Sequence, residues 1–134
     1  MNPTNPTTSQ LEEAISRIPK GVPVVMINML RFRETAEYPD GVPGISGREA
    51  YAIYSREAFK HLVKYGAEVV WFGEVLTSVI GPIDENWDQI FHVRYPSIEV
   101  FLEMINSASY QEIVVHRSSA LKDSRLIATI EGGK

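Results

Sequence analysis

The chain has 134 residues, 44% of them hydrophobic and 22% charged, which suits one ordinary domain with a single core and is too apolar for a disordered chain. The formal net charge is −4 and the Lys and Arg are scattered, so no concentrated basic face is offered to nucleic acid. There is no Cys, which excludes disulfides, thiolate catalysis and Cys-ligated metals together.

Residues 1–8 carry two Asn-Pro pairs and read as a flexible tail, leaving 9–134 as one domain. The polar start lacks the apolar stretch of an export signal, and no run approaches membrane-spanning length. A cytoplasmic protein without a membrane partner is the expectation. Ser9 and Glu12 have capping-box spacing, and Leu11, Ala14, Ile15 and Ile18 form a helical stripe that stops at Pro19. Residues 22–32 are apolar on both faces and rich in Val and Ile, which predicts a strand. Residues 33–47 hold two Pro and three Gly in a long aperiodic connection.

Ser46 and Glu49 form a second capping box, opening a helix over 47–65 whose stripe is Ala50, Ile53, Tyr54, Ala58, His61, Leu62 and Tyr65. Gly66 closes it. Residues 67–80 predict a long strand bent near Gly73, and 81–86 a turn, with 87–95 returning as the hairpin partner. Pro96 stops that strand and Ser97 caps a short helix with Ile98, Phe101, Leu102 and Ile105 on one side. The helix breaks at Asn106-Ser107. Ser109 and Glu112 then have the spacing to cap a helix over 109–121, and 124–130 predicts the last strand.

After the N-terminal helix the order β-α-β-β-α-α-β is that of the ferredoxin-like split βαβ pattern, an α+β fold with an antiparallel sheet. Right-handed crossovers put the main helices on one face. The other face should be polar in a monomer, yet strand 67–80 alternates Val69, Trp71, Val75 and Val79 with Val70, Phe72, Leu76 and Ile80. Strand 24–32 does the same, with Val24, Met26, Leu30 and Phe32 opposite Val25, Ile27 and Met29. A second cover is required. At ~25 cal/mol per Å², a few hundred Å² of apolar sheet is worth several kcal/mol of association before entropic costs. The expectation is a homodimer by sheet-to-sheet packing, helix 9–18 being too short to cover the face alone.

The segments YGAEVVWFGEV (65–75) and YPSIEVFLEMINSASYQEIVVHR (95–117) resemble the dimeric α/β-barrel superfamily, and within it the domain-of-unknown-function family thirteen-thirty. The second carries that family's strand, Pro-Ser cap, short helix, Ser-x-x-Tyr-Gln and second helix ending in Arg. The resemblance covers roughly 22–130; connection 33–47 and the N-terminal helix depart from it. It implies the fold and a homodimeric barrel, and no particular reaction. Neighbouring families include monooxygenases, lactone isomerases and haem-handling proteins, so the fold leaves the chemistry open.

The predicted topology gathers Arg31, Arg33, Trp87, His116 and Arg117 at one sheet edge, beside the positive N-terminus of helix 47–65. Such a cluster suits a carboxylate or phosphate on a small ligand. The competing reading pairs Arg31 and Arg33 with Glu34 and Glu37 and leaves 116–117 to complement their helix C-terminus. Asn28, mid-strand between Met26 and Leu30, either holds a loop backbone or lines a pocket between sheet and helices. In the second case Tyr54 and His92 would share that pocket, with His92 or His116 as general base, Asn28 orienting and Tyr54 donating to an oxyanion. His92 also reads as an ordinary core or interface histidine.

His61, His92 and His116 lack metal-ligand spacing, and no metal or cofactor is expected, although spacing does not bear on a single axial His to haem. GVPGISG (41–47) has neither the spacing nor the Lys of a phosphate loop. Two functional readings follow. One is a cofactor-independent enzyme of isomerase or monooxygenase type acting on a small anionic or polar-aromatic molecule. The other is a non-catalytic small-molecule-binding or interaction module.

Overall fold

The computed structural model describes residues 3–41 and 44–132. The elements run α1 (Thr8–Arg17), β1 (Val24–Phe32), α2 (Gly47–Lys64), β2 (Glu68–Glu74), β3 (Gln89–Tyr95), α3 (Ile98–Ile105), α4 (Ala108–Ala120) and β4 (Leu121–Thr129). The strands make one antiparallel sheet in the order β2-β3-β1-β4, the ferredoxin-like arrangement the element order predicted. The sheet is open. No barrel closes within one chain.

β1 is central, hydrogen-bonded to β3 on one edge and to β4 on the other. Its Val24, Met26 and Leu30 are buried with Ala50, Tyr54 and Leu62 of α2, Ile98, Phe101 and Met104 of α3, and Tyr110 and Ala120 of α4. This is the helix-covered face. By register Val25, Ile27 and Met29 lie on the other, beside Arg94, His92 and Ile90 of β3 and Thr129, Ile127 and Arg125 of β4. Ion pairs sit around that second face, Arg94 with Glu68 and Glu131 and Arg125 with Asp123. α1 buries none of its residues fully.

Several boundaries differ from the sequence reading. The first capping box is made by Thr7 and Gln10, not Ser9 and Glu12; Thr7 satisfies the same spacing and starts the helix directly after Pro6. Of the expected tail 1–8, residues 1–2 lie outside the described residues, as do 42–43 of the long connection. Pro3 is held by the Ser124 backbone N–H, which donates to its carbonyl at 3.0 Å, and the Arg117 guanidinium donates to the Thr4 carbonyl. Ser107, not Ser109, caps α4: its Oγ accepts from the Tyr110 N–H at 3.3 Å and donates to the Met104 carbonyl. The residue at the third helical position is then Tyr110, so no reciprocal box forms.

β2 ends at Glu74 rather than at 80, because β3 offers it partners only from Gln89 onward. Its irregularity lies at Val70, where the register shifts between Val69 and Trp71, and not at Gly73. The bulge puts Val69 and Trp71 on opposite faces, Val69 opposite Val93 and Trp71 opposite His92. Gly73 has another role: the space of a Cβ there is taken by the Trp71 indole.

The junction of β1, α2 and β4 is drawn together at Gly47. The Gly47 N–H donates to the Arg33 carbonyl at 3.1 Å, and the Arg33 N–H donates to the Ala120 carbonyl at 2.8 Å. A Cβ at Gly47 would run into the Arg33 carbonyl and lie 2.7 Å from that of Ala120, both backbone atoms that cannot step aside. Gly47→Ala is therefore expected to lower stability by ~1–3 kcal/mol or more, read as a fall in the urea midpoint. An unchanged midpoint would show that this junction is not tightly built.

Candidate functional site

The inner face of the sheet and helices α2 and α4 enclose a cavity of about 200 Å³. β1 contributes Asn28, and β3 contributes Gln89, Phe91, Val93 and Tyr95, alternate residues of one strand face. α2 contributes Tyr51, Tyr54, Ser55, Ala58 and Leu62 at helical spacing, and α4 contributes Arg117. Tyr110, two turns before Arg117, closes the wall behind Tyr54. The cavity opens into a wider cleft of about 500 Å³ between α2 and β2, where Arg48, Arg56 and Phe59 face Phe72. Tyr51, Ser55, Phe59, Phe72 and Gln89 line both.

Three buried tyrosines, Tyr51, Tyr54 and Tyr95, line this space, and buried Tyr110 backs Tyr54. The Tyr54 and Tyr110 hydroxyls share a hydrogen bond of 2.6 Å, and the Tyr51 and Tyr54 rings lie 5.2 Å apart. Burial pushes the Tyr54 phenol well above its ordinary range, with Tyr110 and Tyr51 adding to the rise and Arg117 opposing it. Burial likewise raises Tyr51 and Tyr95, again against the pull of Arg117. At neutral pH these groups are neutral and can donate hydrogen bonds. Arg117 is the one charged side chain among the described residues lining the cavity. One of its nitrogens donates to the Thr4 carbonyl, and a guanidinium has five N–H donors. The ion pairs of the described residues do not include it. The lining thus offers a cation, phenolic donors and two amides, with no carboxylate or imidazole to serve as a base.

Of the residues singled out from sequence, Asn28, Tyr54 and Arg117 meet here. The Asn28 amide donates to the Met26 carbonyl at 3.2 Å. His92 does not join them: it pairs with Ile27 in register and packs against Trp71 on the opposite face of the sheet, the rings 5.3 Å apart. The shared Asn28–His92 pocket is corrected by strand alternation, since Asn28 pairs with Phe91 and the next residue turns outward. His116 lies outside the cavity, its Nδ1 2.7 Å from the Tyr38 hydroxyl. Arg33 pairs with Glu37 at 3.0 Å, as the competing reading had it. Arg31 falls on the face of Ile27 and Met29, opposite Asp123. Trp87 is buried beneath the Arg125 guanidinium, 5.1 Å from its ring centre. The edge cluster is therefore dispersed, and only Arg117 turns inward.

Sequence reasoning passed over Tyr51, Tyr95 and Tyr110. The available signal was chemical: Tyr51 and Tyr54 are spaced i, i+3, and Tyr110 shares an inner stripe with Arg117.

This architecture defines a ferredoxin-like α+β protein with a tyrosine-lined, mostly apolar cavity between sheet and helices. The chain belongs to the family described as domain of unknown function (DUF1330), whose model matches residues 42–132. It is similar over its whole length to the RPA0582 protein of unknown function from Rhodopseudomonas palustris, at 37% identity with 100% of each chain covered and a TM-score of 0.91. More distant likenesses concern the fold alone. The hydroxynitrile lyase of Passiflora edulis has 12% identity and a TM-score of 0.60, covering 85% of this chain and 97% of that one. A dimeric protein of unknown function and ferredoxin-like fold from Bacteroides fragilis has 9% identity and a TM-score of 0.53, covering 81% and 96%. No curated protein matches the sequence. Among the described residues no helix is long and apolar enough to cross a membrane.

The Tyr54–Tyr110 pair gives a double-mutant cycle. Either Tyr→Phe change alone leaves one buried hydroxyl without its partner and should cost ~1–3 kcal/mol in urea unfolding. The double variant should cost less than the sum of the two. Strict additivity would mean that the hydroxyls are not coupled. The same burial sets an alkaline limit. A phenol whose folded pKa is raised contributes stability that is intact below its unfolded value of about 10 and is lost as pH rises beyond it. Phenolate absorbance should therefore show Tyr51, Tyr54 and Tyr95 ionising only with cooperative unfolding; smooth titration of every tyrosine near pH 10 would contradict their burial.

Proposed function

We propose that the protein binds a small anionic, partly aromatic molecule in the tyrosine-lined cavity, with Arg117 as the counterion, and does so as a homodimer packed sheet to sheet. The observation that carries the ligand reading is Arg117: a lone guanidinium among buried phenols that are held neutral and so face a ligand as donors. A carboxylate suits this pairing, because charge-assisted bonds from arginine are stronger than neutral ones. The aromatic walls Phe91, Phe72 and Tyr51 favour a flat apolar body. The dimer reading rests on the second sheet face, whose apolar centre of Ile27, Met29, Ile127 and Trp71 is ringed by ion pairs. A protein of the same fold described as dimeric is in keeping with it.

The enzymatic reading keeps one support: the paired phenols would stabilise an oxyanion or enolate formed on a bound carbonyl compound. His92 and His116 lie outside the cavity, so a proton-transfer step would draw its base from the substrate or from water. Binding without turnover is the reading the lining favours.

The test is a thermal-shift panel of aromatic carboxylates against their methyl esters. The acids should raise the melting temperature and the esters should not. Arg117→Gln, folded as judged by circular dichroism, should weaken acid binding by tenfold or more, since a charged hydrogen bond contributes ~1.5–3 kcal/mol. Equal binding of acid and ester would remove Arg117 from the role.

A further inference from the structure

Between β2 and β3 the chain makes an excursion that the cavity does not use. Leu76, Val79, Ile80 and Ile83 stand on it, each between 93% and 99% exposed. Isolated exposed apolar residues are ordinary, but four on one excursion are a contact surface awaiting its partner. Its root is held in place. The Val75 N–H donates to the Asp88 carbonyl at 2.9 Å, the Asp88 N–H to the Leu30 carbonyl at 2.7 Å, and the Asp88 carboxylate accepts from the Phe32 N–H at 2.8 Å. Two of these bonds tie the root to the end of β1, and the third closes the two sides of the root on each other.

Charge narrows the choice of partner. No Lys or Arg occurs between Lys64 and Arg94, while Asp84, Glu85 and Asp88 lie on or beside the arm; Glu74 already pairs with Arg48 of its own chain at 3.4 Å. An anionic lipid surface would repel it. The complementary surface is present on the same molecule. α2 exposes Phe59 and Val63 one turn apart, with Arg56 beside them in the cleft, and Phe72 of β2 lies across it from Phe59; Lys60 is taken up by Glu57 at 2.9 Å. An acidic apolar arm and a basic apolar cleft on one chain are self-complementary, which is the condition for a two-fold interface.

We infer that residues 76–83 of one copy seat in the α2–β2 cleft of a second copy, so that each tyrosine-lined cavity is closed by its partner's arm. The inference rests on the dimer proposed above and is independent of which ligand binds. The seat is adjacent to the cavity through Tyr51, Ser55, Phe59, Phe72 and Gln89, which line both spaces. A ligand in the cavity would then be shielded from water only in the assembled dimer.

The native chain lacks Cys, so introduced thiols report without background. Ile80→Cys and Phe59→Cys, both at exposed positions, would be co-expressed with different tags and treated with a short bismaleimide. The expected result is a hetero-tagged covalent dimer in at least tenfold excess over the pairing of Ile80→Cys with Glu13→Cys on α1. A double Ile80→Cys/Phe59→Cys chain bridging within itself would overturn the exchange and make the arm a lid on its own cleft. A stable non-covalent dimer with no excess bridging would overturn the arm's placement while leaving sheet packing intact. A monomer throughout would overturn both.

Discussion

A strand hydrogen-bonded on both edges can bury only those side chains that another layer covers, and β1 carries apolar residues on both faces. On one face the layer is α2, α3 and α4, and the core forms there from Val24, Met26 and Leu30. On the other, Val25, Ile27 and Met29 lie beside their sheet neighbours, where Ile127 and Trp71 stay about half exposed. This division of β1 sets what each face can do. The covered face bounds a cavity that opens into the α2–β2 cleft, and the other face is where the proposed second copy packs.

Within the covered face the chemistry follows from burial. Phenols taken out of water resist ionisation, so Tyr51, Tyr54 and Tyr95 remain donors at any physiological pH. The half-buried Arg117 guanidinium keeps its charge and donates to the Thr4 carbonyl, which uses one of its five N–H donors. In the proposed reading the Arg117 guanidinium and the neutral phenols face an anionic or carbonyl-bearing ligand as donors.

Element order was legible in the sequence because period and punctuation agreed: Ser46 with Glu49, Ser97 and Gly66 mark helix ends that the structure keeps. Where two caps competed, spacing alone could not choose, and Thr7 displaced Ser9 as Ser107 displaced Ser109. The long second strand was misread for a different reason. Residues 75–80 have strand composition, but a strand also needs a partner, and local pattern does not reveal where the partner ends. The site was half legible. Asn28 and Tyr54 were found by their polar groups on apolar faces and Arg117 only as a member of the edge cluster, whereas His92 was lost to alternation: one residue of register separates the cavity from the opposite face. Tyr51, Tyr95 and Tyr110 gave no separate signal, because in a sequence a buried tyrosine differs from a buried phenylalanine only at its hydroxyl.

The central claim is that the two faces of one sheet divide the work, the inner one enclosing an anion site and the outer one joining two copies. Native mass spectrometry of the purified protein tests both halves in one experiment. The account predicts a species of about twice the 15.1 kDa chain mass that retains an added aromatic carboxylate at one per chain and loses it on Arg117→Gln. A species at the single-chain mass, or a carboxylate retained equally well without Arg117, would contradict it.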